Sequence, residues 1–65
     1  MIKSVIRTQE DMVLVFNEKD RQIPEYQGLY KDVRQKILRN AVAGTVFKHW
    51  LESSPEPRIV PQNNW

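Results

Sequence analysis

The chain opens with two short apolar stretches separated by polar residues, Ile2 to Arg7 and Met12 to Phe16. In the first, Ile2, Val5 and Ile6, with Thr8 just beyond, supply β-branched side chains that suit a pleated, half-buried surface. The second, Met12-Val13-Leu14-Val15-Phe16, is apolar without a break, which predicts a strand buried on both faces or central in its sheet. Gln9-Glu10-Asp11 between them predicts a polar turn. Asn17-Glu18-Lys19-Asp20 predicts another, since Asn and Asp tolerate the left-handed conformation and bond to their own backbone. Arg21-Gln22-Ile23 is expected as a short third strand of an antiparallel meander, which Pro24 ends or confines to an edge.

Past Gly28 the period changes. Leu29, Tyr30, Val33, Ile37 and Ala41 fall on one side of a 3.6-residue repeat, predicting a helix over Leu29 to Val42. Lys31, Asp32, Gln35, Lys36 and Arg39 fall on the other side, and Leu38 lies at the margin. Gly44 stands where a C-terminal glycine cap belongs, whereas no Ser, Thr, Asp or Asn marks the start. Thr45 to Leu51 returns to β-branched and aromatic residues and is expected as a strand. Val46, Lys48 and Trp50 then share one face, and Phe47, His49 and Leu51 the other. The competing pattern is a resumed helix, because Phe47, Trp50 and Leu51 also sit at i, i+3 and i+4; Gly44-Thr45-Val46 makes a poor helix core.

The remainder, residues 53–65, is a Pro-rich tail in which Arg58-Ile59-Val60 is the one candidate for an edge strand. Trp65 reads in two ways: as a frayed end, or as an anchor over the core or over a neighbouring subunit.

Composition narrows the chemistry. Sixty-five residues make one domain, with residues 1–52 as its body. A chain so short buries only about 60% of its unfolded surface, and such domains commonly add disulfides, a metal or a partner subunit. There is no cysteine and a single histidine, His49, so neither a disulfide nor a Cys- or His-based zinc site is expected. Self-association is what remains. No apolar run approaches membrane-spanning length and the first residues lack a signal-peptide core, so a cytoplasmic protein without membrane contact is expected.

No catalytic constellation is expected either. His49 lacks an evident orienting partner, and Ser53 and Ser54 carry no nucleophile signature. Glu10-Asp11, Glu18/Asp20 and Glu52/Glu56 fall in predicted turns, where solvated charge is normal. Two glycines cannot build a phosphate-cradling loop. The suggestive feature is the polar helix face. Lys31, Arg34, Lys36 and Arg39 oppose only Asp32, and Lys31, Gln35 and Arg39 stand in line. Such a row contacts phosphates or an acidic protein surface, or is simply solvated. A net charge of +2 is too small to imply nucleic acid by itself. On a strand, Trp50 joins Val46, and Trp65 where it reaches them, in an apolar patch.

These patterns converge on an α+β domain: an antiparallel sheet of three to four strands with one amphipathic helix packed on one face, in the order β-β-(β)-α-β-(β). The expected role is a small non-catalytic interaction or accessory module, without cofactor or metal, binding a protein partner or itself as a homodimer. Lys31, Gln35, Arg39, Trp50 and Trp65 are the candidate contact residues. The alternative is nucleic-acid binding through the basic helix face.

Overall fold

In the computed structural model, which describes Met1–Trp65, strands β1 (Ile2–Arg7) and β2 (Met12–Asn17) pair as an antiparallel hairpin. Its turn is closed by Asp11 N donating to Thr8 O at 3.1 Å and Thr8 N donating to Met12 O at 2.8 Å. Asp11 takes a φ of +58°, the left-handed residue that follows a tight turn in a hairpin of this length. The same device recurs after β2. Asp20 has φ +60°, its N–H donates to Asn17 O at 3.0 Å, and Asn17 N donates to Arg21 O at 2.8 Å. The Asn17 Oδ1 adds bonds from the backbone of Lys19 and Arg21 at 2.9 and 3.0 Å, so both polar turns form where the sequence places them.

The expected third strand does not form. Residues 21–23 contribute one isolated bridge, Gln22 to Phe16, before Pro24 turns the chain into a single 3₁₀ turn over Pro24–Tyr26. Proline has no N–H with which to extend the ladder. The flank of β2 is filled instead by Gln27, whose side-chain oxygen accepts from Val15 N at 3.1 Å, and by the two-residue strand β3 (Gly28–Leu29).

Helix α1 (Tyr30–Asn40) then crosses one face of the sheet and delivers β4 (Val46–His49) to the far side of β1. The expectation of a wholly antiparallel sheet of three to four strands is corrected here. The sheet has five strands in the order β3-β2-β1-β4-β5, and β1 and β4 run parallel. A strand reached by crossing over a sheet face re-enters in the direction of its neighbour, and that needs a long connection such as this helix. The α+β class, the single helix and the order of elements stand. The helix is shorter than Leu29 to Val42, since Ala41 is already extended. Gly44 does not cap it. Val42 to Thr45 form a separate turn, closed by Thr45 N donating to Val42 O at 3.1 Å, in which Gly44 supplies the φ of +92°.

Of the segment Thr45 to Leu51 only Val46–His49 forms strand, and none of it is helix; Phe47 lies on the buried side of β4. Residues 53–65 return along the sheet: β5 (Arg58–Val60) pairs antiparallel with β4, and Trp65 enters the core. That core comprises Ile2, Val5, Val13, Val15, Val33, Ile37, Phe47 and Trp65. Val5 stands between Val15 and Phe47 across the strands, and Val33 and Ile37 meet them from successive turns of α1. The Trp65 indole N–H donates to Lys48 O at 2.9 Å, and its ring meets Tyr30 edge-on at 5.2 Å and Phe47 at 5.1 Å. The Tyr30 hydroxyl donates to Trp65 O and accepts from Arg34 Nε at 2.9 Å, while the Arg7 guanidinium lies 3.7 Å above the Tyr30 ring. Trp65 is an anchor.

Candidate interaction surface

Strand alternation assigns every buried sheet residue to the side that α1 covers. The register gives the other side. Ser4 and Ile6 of β1 lie beside Phe16 and Leu14 of β2, and on the opposite flank beside Val46 and Lys48 of β4. Met12 stands next to Leu29 of β3, and Lys48 next to Ile59 of β5. Trp50 continues the Val46–Lys48 row beyond the end of β4.

This open face is mostly aliphatic. Ile6, Leu14, Phe16 and Val46 shield one another and are half-buried, yet none belongs to the core or packs against it. At the margins Met12 is 40% exposed, Leu29 44% and Ile59 73%. Of the residues placed on it by register, Lys48 alone is charged. No helix lies over this face; α1 and the turn at Pro24–Tyr26 both pack on the core side, through Val33, Ile37 and Tyr26.

The candidate contact residues separate into three groups. Lys31, Gln35 and Arg39 are exposed on the outer surface of α1, as the helical spacing requires. The other two helix cations are occupied within the fold: Arg34 on the Tyr30 hydroxyl, and Lys36 on Glu25 O at 3.0 Å with the Tyr26 ring 5.3 Å away. The basic row therefore contracts to two free cations. Trp50 sits at the end of the open face, half-buried, with its indole N–H donating to Ser54 O at 2.9 Å. Trp65 is only 3% exposed and offers no ring to a partner, because its burial completes the core. The other apolar members of the face, chiefly Leu29, Leu14, Phe16, Ile6 and Ile59, belong to no charged row and were not among the candidate contact residues. Their signal is the unbroken apolar run Met12 to Phe16, whose alternate positions need cover that one helix cannot supply.

The side chains capable of acid–base or nucleophilic chemistry are held otherwise. His49 lies on the core side at the end of β4, with Arg7 and Arg58 as its cross-strand neighbours and no orienting carboxylate between them. The Ser54 hydroxyl is buried and donates to Glu56 O within its own turn. Hydrogen bonding to its own backbone, and then the nearby Met1 ammonium, hold the Glu18 carboxyl below the usual range, the wrong direction for a general acid. No group of three or more Asp, Glu or His side chains is spaced to hold a metal ion, and no helix is long and apolar enough to cross a membrane. Comparison with protein-family models, with curated proteins and with solved structures finds no match to this chain.

Proposed function

We propose that the protein is a small non-catalytic interaction module that presents the open face of its sheet to a protein surface. The observation that carries this reading is the set of apolar side chains from five strands and Trp50, gathered on a face that no element of the fold covers. A monomeric domain rarely exposes a contiguous apolar patch beyond a few hundred Å², and larger ones mark contact surfaces. The dominance of aliphatic side chains favours protein over nucleic acid, since single strands stack on aromatic platforms bordered by many cations. The helix row has only Lys31 and Arg39 free for phosphate, which supports the same preference.

The test is site-specific photo-crosslinking in cells that produce the protein, with the crosslinking residue at Ile59 or Leu29 and, in parallel, at Lys31 or Arg39. The sheet positions are expected to give discrete protein adducts and the helix positions none. Adducts from the helix positions alone, or adducts to nucleic acid, would replace this reading with the alternative.

A further inference from the structure

We propose that the end of the sheet next to the first turns of α1, on the core side, is an anion-binding site that takes a phosphate group. Three features point to it, and none belongs to the open face.

The first is a row of basic residues across three neighbouring strands. Val5, Phe47 and Val60 stand level on β1, β4 and β5 and pack into or against the core. The next positions on the same side of those strands are Arg7, His49 and Arg58, again level with one another. Adjacent strands lie about 4.8 Å apart, so the three side chains start side by side with no acidic or apolar residue between them. Like charges set opposite each other on a sheet face are destabilising unless something neutralises them.

The second is a further cation brought in from the helix. The Arg7 guanidinium lies 3.7 Å above the Tyr30 ring, and Arg34 Nε donates to the Tyr30 hydroxyl at 2.9 Å. Two guanidinium groups from different elements are thus seated on one side chain. They are also only partly hydrated: the Arg7 side chain is 24% exposed, and Arg34 and His49 are half-buried. Away from bulk water their repulsion is stronger than that between solvated surface charges such as Lys31 and Arg39.

The third is the shortage of counter-charge. Asp11, on Arg7 Nε at 2.9 Å, is the one carboxylate in ion-pair contact with this group, and the only other ion pair of the fold joins Met1 to Glu18. Trp65 O accepts from the Tyr30 hydroxyl, but Trp65 makes no ion pair with Arg34. Arg34 and Arg58 are left without a carboxylate, before any proton on His49 is counted. A phosphate monoester supplies a charge of about −1.5 to −2 at neutral pH, with oxygens that suit guanidinium donors. The row is about 10 Å wide, two strand spacings, and Asp11 bounds it on the β2 side. That is room for one phosphate group of a small ligand, not for a length of nucleic-acid backbone.

His49 is the chain's one histidine, so its ring protons report on the site in a proton NMR spectrum. Inorganic phosphate is titrated into the full chain at fixed pH and constant ionic strength, with chloride as the anion it replaces. The expected result is a saturable His49 shift, half complete on the order of 1 mM phosphate. Arg34→Gln and Arg58→Gln should each weaken binding about fivefold or more, while Lys31→Gln on the outer helix surface leaves it unchanged. Asp11→Asn removes the competing carboxylate while keeping a residue that tolerates the φ of +58°. It should tighten binding about two- to fivefold, a gain that misfolding cannot produce. Circular dichroism verifies the fold of each variant. No saturation by about 20 mM phosphate, or an equal response to chloride, overturns the proposal. So does a response untouched by both Arg34→Gln and Arg58→Gln. A single-stranded oligonucleotide that saturates the same shift at an about hundredfold lower phosphate concentration overturns the small-ligand site and assigns the cluster to nucleic acid.

Discussion

Replacing Trp65 with alanine removes the largest side chain of the core, and its cost follows from contacts already described. A Trp buries about 150–250 Å², so its near-complete burial corresponds to about 4–6 kcal/mol at 25 cal/mol per Å². Two aromatic contacts, to Tyr30 and Phe47, add about 0.5–1.5 kcal/mol each. Loss of the indole N–H leaves Lys48 O without that donor. These terms overlap, and measured Trp-to-Ala losses in cores run to about 3–5 kcal/mol. A domain of this length has roughly 3–10 kcal/mol in all. Trp65→Ala is therefore expected to leave a chain that is largely unfolded or melts at least 15 °C lower. Trp65→Phe, which keeps a ring but loses the donor, should cost about 1.5–3 kcal/mol, a little over half as much. Urea unfolding followed by far-UV circular dichroism measures both, at a fixed low protein concentration so that association does not contribute. A loss below 1 kcal/mol for Trp65→Ala would refute the anchoring argument and return Trp65 to the frayed-end reading.

Three further outcomes follow from individual residues. Tyr30→Phe removes the hydroxyl shared by Trp65 O and Arg34 Nε, and should lower unfolding free energy by about 1–2 kcal/mol in the same urea assay. Asp20→Gly relieves a non-glycine residue at φ +60° and should raise the melting temperature by about 2–4 °C, the gain limited by the added freedom of the unfolded chain. Gly44→Ala meets no atom within 4 Å of the new Cβ, so steric packing predicts neutrality; the φ of +92° predicts a loss of about 1–2 kcal/mol instead. A neutral result there in calorimetry would show that the turn re-forms with another geometry.

Local patterns carried much of the fold. The hairpin turns were legible because Asp11, Asn17 and Asp20 are residues that tolerate and cap tight turns, and the helix because Val33 and Ile37 keep their period. Phe47 and its alternation with Lys48 placed β4 correctly. What stayed hidden was non-local. Nothing in residues 46–49 says that they will pair with β1 rather than β2, and so parallel pairing could not be read from them. β3 is two residues whose strand character comes from β2 alone. The fate of Trp65 depended on a chain path through Pro55, Pro57 and Pro61 that composition describes only as irregular. For the candidate surface, the run Met12 to Phe16 signalled a second face in need of cover, but its outer limits at Leu29 and Ile59 emerge only once both edges of the sheet are known.

The parallel pairing of β1 with β4 also dictates an order of events in time. The β1–β2 hairpin closes a four-residue turn and can form within microseconds. Ser4 cannot meet Val46 until the intervening chain, helix included, has been drawn across, and this loop closure is repaid only when Phe47 and Trp65 reach the core. The folding order expected from this topology is a fast local step followed by a slower closure that brings in β4, β5 and Trp65 together. Until that closure, the central strand has a bare edge. Conservative substitutions in β4 should then act mainly on the unfolding rate, and those in the hairpin on the folding rate as well.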